Sequence, residues 1–301
     1  LSINGEGIDQ LALGGTNLFA LGKFNSLGGM PQDGLAKLST QSDGRADAAW
    51  NPSVRFANCL ALDGTNLFVG GFNVFGSATN QALLAKLTTT GAGTVDTNWN
   101  AQFRGNGSVY ALLVDGPNLF VGGSFTSIGG LERHSLAKFA TAGTGQVDPL
   151  WDPQVGSAVV FFEPITSLAR DGGNLLAGGF FSSVGGVVRR DLARVNAAGT
   201  GAVDLSFNPG PAGNSDFDSF PSSDVRALFL SGRDLYLGGG FTTIGGADRS
   251  GFALLPVADA PVIIQDTSTD LLQRPDSNRR GPRQRLRREA TSHPHRRACA
   301  L

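Results

Sequence analysis

Apolar residues along this chain come in short runs, and tight-turn residues separate the runs at regular places. Leu11–Leu13 and Leu18–Leu21 flank Gly14-Gly15, and Leu60–Leu62 and Leu67–Val69 flank Asp63-Gly64. The same arrangement surrounds Asp115-Gly116, Asp171-Gly172 and Ser231-Gly232. A two-residue connection carrying Gly, often after Asp, allows the positive φ that a tight hairpin requires. Each pair of runs therefore reads as two antiparallel strands. No segment has the length and 3.6-residue periodicity of a long amphipathic helix.

Five segments carry these features in one order. They begin at Leu11, Leu60, Leu112, Leu168 and Leu228, and each passes through central glycines to a Phe. Taking Phe24, Phe72, Phe125, Phe181 and Phe241 as markers, the spacings are 48, 53, 56 and 60 residues, in the range of propeller blades. A third strand follows as Leu35-Ala36-Lys37-Leu38, Leu84-Ala85-Lys86-Leu87, Leu136-Ala137-Lys138-Phe139, Leu192-Ala193-Arg194-Val195 and Phe252-Ala253-Leu254-Leu255. A fourth includes Ala46-Asp47, Val95-Asp96, Val147-Asp148 and Val203-Asp204, ahead of Trp50, Trp99, Trp151 or Phe207. The first two strands are almost wholly apolar and the later two mixed. Strands covered on both faces by neighbouring blades, grading to solvated outer strands, would give that gradient. The expected fold is an all-β β-propeller with five recognisable blade-like repeats. The fifth repeat lacks the Val-Asp-x-x-Trp element, so the ring is either incomplete or part of a larger propeller.

Charge divides the chain. Residues 271–301 hold 9 arginines and 2 acids, a local charge of +7 that leaves −8 on the remainder. This sets the expected domains: residues 1–259 as the repeat domain and 260–301 as a polar to basic, disordered tail. An acidic repeat body repels a nucleic-acid backbone. No run approaches the length needed to span a bilayer as a helix, and no targeting segment opens the chain at Leu1. Cys59 and Cys299 alone make no disulfide framework.

The recurring residues have structural readings. The pairs Gly70-Gly71, Gly122-Gly123, Gly178-Gly179 and Gly238-Gly239 lead into no helix and precede no Lys-Ser/Thr, so they read as close-approach glycines, with each following Phe as a wedge between repeats. Trp50, Trp99 and Trp151 read as core, with carbohydrate-stacking platforms as the alternative. Asp47, Asp96, Asp148 and Asp204 read as turn supports, against a cation site. Arg133, Arg189 and Arg249 follow the second glycine pair at matching distance, with Gln32 and Asn80 or Gln81 nearby in the first two repeats, and read as inter-strand donors, against an anion-binding ring. His134 stands alone in the repeats, and His293 and His295 lie in the tail, so no metal cluster and no cofactor is expected.

Catalysis needs unique groups, which directs attention to two insertions, 156–164 with Glu163 and 210–224 with Asp216 and Asp218. A compact constellation of these acids would be the signature of a hydrolase or lyase. As recognition loops they would instead shape a binding face, and as plain spacers they would only lengthen the connections. No catalytic residue is assigned, and the ligand-binding residues are unknown at this point.

The repeated Leu-x-x-Asp-Gly-x-x-Leu-Phe/Tyr-Val-Gly-Gly-x-Phe-Thr/Ser-x-x-Gly-Gly, followed by Leu-Ala-Lys-Leu and Gly-x-Val-Asp-x-x-Trp-Asn-Pro, resembles the delta-60 repeat family of β-propeller-like repeats. The clearest copies are residues 60–100 and 112–153. Lys23, the shorter turn at Phe72 and the missing last strand of the fifth repeat depart from the pattern. The resemblance implies a repetitive β scaffold of secreted or surface proteins of bacteria, with no catalytic set to transfer. The expected function is a noncatalytic extracellular or cell-surface scaffold for protein or carbohydrate, with self-association through incomplete blade edges as a further expectation.

Overall fold

The computed structural model describes residues 2–257 apart from 42, 53, 78–79, 100–106, 157–163 and 214–222. Every repeat builds a three-stranded antiparallel core. The strands are Ile3–Gly14, Asn17–Leu27 and Leu35–Ser39 in repeat one, and Ala57–Asp63, Asn66–Ser77 and Asn80–Thr88 in repeat two. Repeat three has Val109–Asp115, Asn118–Gly123 and Leu136–Ala140; repeat four has Ile165–Asp171, Asn174–Gly179 and Leu192–Asn196. Repeat five has Val225–Ser231, Asp234–Gly239 and Phe252–Pro256. The middle strand pairs with both others, as in Asp115↔Asn118 and Leu119↔Phe139 of repeat three. Gly64, Gly116 and Gly172 hold φ of 53–54° at the hairpin tips, the conformation that made these turns legible.

Hydrophobic cores lie between successive repeats. One cluster joins Phe19 and Leu35 of repeat one to Leu60 and Leu67 of repeat two. The next joins Phe68 and Leu84 to Val109 and Leu119. A third joins Phe120 and Leu136 to Ile165 and Leu175, and a fourth Leu176 and Leu192 to Val225 and Leu235. Each repeat thus has a trailing face against its successor and a leading face against its predecessor. The central glycines make the approach close: a Cβ on Gly122 would stand 2.6 Å from the Ile165 side chain of the next repeat.

Tryptophan locks the first three steps. Trp50, Trp99 and Trp151 are fully buried and pack against Phe19, Phe68 and Phe120 at centroid distances of 5.3, 5.0 and 5.3 Å, edge-on in the first and third pairs and tilted in the second. Their indole N–H groups donate to Thr88, Ala140 and Asn196 carbonyls at the end of the next repeat's third strand, each at 2.9 Å. The glycine of the Gly-x-Val-Asp motif has its reason here: a Cβ on Gly145 would sit 2.5 Å from the Trp99 ring.

Two expectations are corrected. The fourth strand is reduced to isolated bridges, Leu38↔Ala46, Leu87↔Val95, Phe139↔Val147 and Val195↔Val203, because the chain turns away at the aspartate immediately afterwards. The β-propeller is not formed either. The described residues make eight small separate antiparallel sheets, none closed or curled into a ring. Leu11 and Leu13 on the leading face of repeat one stand 55% and 66% exposed, and Phe229 and Phe252 on the trailing face of repeat five 65% and 61%. Neighbouring repeats stack, but the end faces do not meet the partners that closure would supply.

Candidate functional site

Most recurring polar residues are engaged in holding the repeats. Lys37, Lys86, Lys138 and Arg194 pair with Asp47, Asp96, Asp148 and Asp204 at 2.9, 3.4, 2.6 and 2.6 Å. Each aspartate also accepts a backbone N–H two residues on, from Ala49, Asn98, Leu150 or Ser206. The side-chain hydrogen bond from Lys37 holds the Asp47 carboxyl below its ordinary range. Burial pushes Asp148 the other way, yet its bonds to Lys138, Leu150 and Trp151 prevail and the net shift is downward.

Arg133 donates to the carbonyls of Glu132, Asp148 and Pro149, and Arg189 likewise to Val188, Asp204 and Leu205. Among the described residues, the Arg249 side chain donates to Asp248 O. These three do not form an anion ring. His134 makes an exposed contact to Glu132 at 3.1 Å. Burial removes the tryptophans as carbohydrate platforms and raises the Cys59 thiol pKa. Glu163, Asp216, Asp218, His293, His295 and Cys299 lie outside the described residues. Among the described residues, no group of three or more His, Cys, Asp or Glu converges on a metal-sized site.

The repeat pattern breaks at a cleft of about 720 Å³ between repeats one and two. Its first wall comes from the Ile3–Gly14 and Asn17–Leu27 hairpin, whose register slips at Asn4/Gly5, Gly5/Gly7 and Ile8/Gln10. The slips place Glu6 and Lys23 on the cleft, where they pair at 3.3 Å, with Asp33 nearby in the lining. The second wall is the connector through Arg55 and Phe56, with Phe72 behind it.

Local packing forces Phe56 outward. Val54 is buried in the inter-repeat core, Arg55 N donates to Val74 O at 3.1 Å, and Phe56 O accepts the Phe72 N–H at 3.1 Å. Pinned on both sides, Phe56 adopts φ of 50°, a rare conformation for a bulky residue, with 68% of its surface exposed. Phe72 is 44% exposed, whereas Phe24, Phe125, Phe181 and Phe241 are buried. The marker at Phe72 is therefore not a wedge between repeats. With one residue fewer after Gly71, it occupies the place of Ser124, and both donate their N–H back across the hairpin. The lining offers both signs of charge and two exposed rings, with no histidine or cysteine among its described residues.

A second departure is Asp191. It stands with φ of 59° where repeats one, three and five place Gly34, Ser135 and Gly251, also left-handed. Its carboxyl is buried, accepting N–H from Phe181 at 3.2 Å and O–H from Ser223. Burial pushes its pKa up to about 7, and the charge of Asp224 adds to the effect. Neither Phe56 nor Asp191 was nominated from sequence. Asp191 has a signal there, since repeat-to-repeat alignment puts a carboxylate where glycine or serine serves in repeats one, three and five. Phe56, in a connector without periodicity, has none.

No family model matches the chain, and no curated protein matches it. The delta-60 resemblance thus rests on the quoted motif alone. Among solved structures, the chain is similar to the computationally designed Ika8 protein, at 12% identity over 83% of this chain and 74% of that one, TM-score 0.41. It is similar also to the computationally designed Ika4 protein, at 14% identity over 67% and 91%, TM-score 0.37. At these TM-scores the likenesses decide neither fold nor function.

Proposed function

We propose that this chain is a noncatalytic binding scaffold whose recognition site is the cleft between repeats one and two. The carrying observation is Phe56: an aromatic side chain held in a strained backbone conformation and turned toward solvent at the edge of a large cleft. Strain of this kind costs about 1–3 kcal/mol and is retained where the surrounding structure, and commonly function, requires it. The flanking charges Glu6, Lys23, Asp33 and Arg55 suit the mixed polarity of a polypeptide, so a segment of a partner protein is the favoured ligand. Carbohydrate stacking on Phe56 and Phe72 is the neighbouring chemistry. The delta-60 resemblance supports an extracellular or cell-surface setting for this role.

The full chain and its Phe56→Gly variant should be compared on a peptide library and a glycan array. Peptide binding should weaken at least tenfold in the variant, while its melting temperature holds or rises because glycine relieves the left-handed strain. Glycan binding that depends on Phe56 would redirect the site to carbohydrate. A defined reaction unaffected by the substitution would overturn the scaffold reading.

A further inference from the structure

We infer that copies of this chain associate head to tail, the trailing face of repeat five in one copy seating the leading face of repeat one in another. The interface already exists within the molecule, joining repeats one to two, two to three, three to four and four to five. In each, the third-strand leucine at one shared register position, Leu35, Leu84, Leu136 or Leu192, is buried under the next repeat. Each leading face contributes the Leu60 position of the first strand, which is buried in the cluster with Phe19 and Leu35.

At the two ends this contact has no neighbour: on repeat one Ala20, Ala36 and Leu38 are buried in the repeat's own cluster with Phe24 and Leu27, and the first strand is left open. Leu11 occupies the Leu60 position in repeat one, and Leu13 the Leu62 position, both exposed. At the other end Phe252 holds the position of Leu35, and Leu254 that of Lys37. Phe229, Tyr236 and Phe252 form a row across the sheet, with centroids 6.0 and 6.3 Å apart.

Terminal repeats of stacked arrays ordinarily turn a polar face outward, which keeps them soluble. Repeat five does the reverse. Where Lys86 and Lys138 reach carbonyls of the following repeat, Thr141 O and Ala197 O, it carries the apolar Leu254. Phe229 takes the place that Ala12, Ala61 and Ala169 hold in repeats one, two and four. This adds aromatic bulk on the strands themselves, whereas the joints after repeats one to three join the strand residues Phe19, Phe68 and Phe120 to Trp50, Trp99 and Trp151. Such a heterologous contact joins unlike surfaces, so it differs in a measurable way from a two-fold dimer.

The test is sedimentation velocity of the full chain over a hundredfold concentration range, with Leu13→Lys and Phe252→Lys, both at exposed positions, checked by circular dichroism for retained β structure. Head-to-tail contact predicts concentration-dependent association of the unaltered chain. Each variant alone should lose it at least tenfold. A one-to-one mixture of the two should recover a dimer, because each variant keeps the face the other has lost. Three results would overturn the inference: a chain monomeric throughout, a Leu13→Lys variant that still self-associates like the unaltered chain, or a mixture that stays monomeric.

Discussion

Repeat three and repeat five share a strand plan and differ in what covers them. In repeat three, Phe120 and Leu136 are buried under repeat four, Trp151 closes the joint, and Lys138 spans it to a carbonyl. In repeat five, Tyr236 and Phe252 take the positions of Phe120 and Leu136, and no tryptophan follows in the sequence. The same hairpin therefore forms with or without a neighbour, since its turn and register are local. What separates repeat three from repeat five is the joint, which Trp151, Lys138 and the leading-face Leu168 make together.

The strongest way to break this contrast is to remove a joint. Trp99→Ala deletes a fully buried indole, its contact with Phe68 and its bond to Ala140 O. A loss of about 3–5 kcal/mol is expected, the usual range for a large aromatic removed from a core that cannot collapse. Phe252→Ser at the exposed end should change stability by less than about 0.5 kcal/mol, as surface substitutions do. Urea denaturation of both variants at low protein concentration, where association is absent, checks the pair. Comparable losses would show that the end face is as buried in solution as the interior ones.

That distinction also marks how far the sequence could be read. Asp-Gly at residues 63–64, 115–116 and 171–172 announces a positive φ, and the apolar runs around it fix the hairpin, so strands and turns were legible. The Lys-Asp partnership was half legible: the repeated positions showed, but pairing of Lys138 with Asp148 depends on how the chain doubles back. Closure was not legible, because a ring requires the faces of Leu11 and Phe252 to meet across the whole array, and no local pattern encodes that. The cleft escaped for a related reason. It arises from register slips in the first hairpin and from a connector pinned by Val54, neither of which repeats.

A smaller effect separates repeat four from its neighbours through Asp191. With a pKa of about 7 in the folded protein against 3.8 for the ordinary group, the folded state holds a proton that the unfolded state releases between those values. Stability should therefore be highest below about pH 4 with respect to this group, and should fall as pH rises toward 7. The full effect is on the order of 4 kcal/mol, at 1.36 kcal/mol for each unit of pKa difference. Asp191→Asn keeps an acceptor for Phe181 N–H and suits the left-handed backbone. It should match the unaltered chain near pH 3.5 and exceed it at pH 8, in urea midpoints taken at both values. Equal pH dependence in the two proteins would place the buried proton elsewhere.

The finest contrast lies between Arg133 and Gln32, which hold the same position: their backbone N–H groups donate to the corresponding carbonyls, Thr126 O and Asn25 O. Arg133 satisfies three carbonyls, while Gln32 is buried with neither amide atom hydrogen-bonded. An unsatisfied buried polar group costs about 1–3 kcal/mol. Gln32→Arg carries the interior solution into repeat one, where the carbonyls of Asp47 and Ala48 correspond to those of Asp148 and Pro149. A gain of about 1 kcal/mol is expected, read as a higher urea midpoint with an unchanged slope. The reciprocal Arg133→Gln should lose at least as much, since it strands three acceptors at once. If Gln32→Arg instead destabilises, repeat one lacks the space that the longer side chain requires, and its loosened first hairpin would be the cause to pursue.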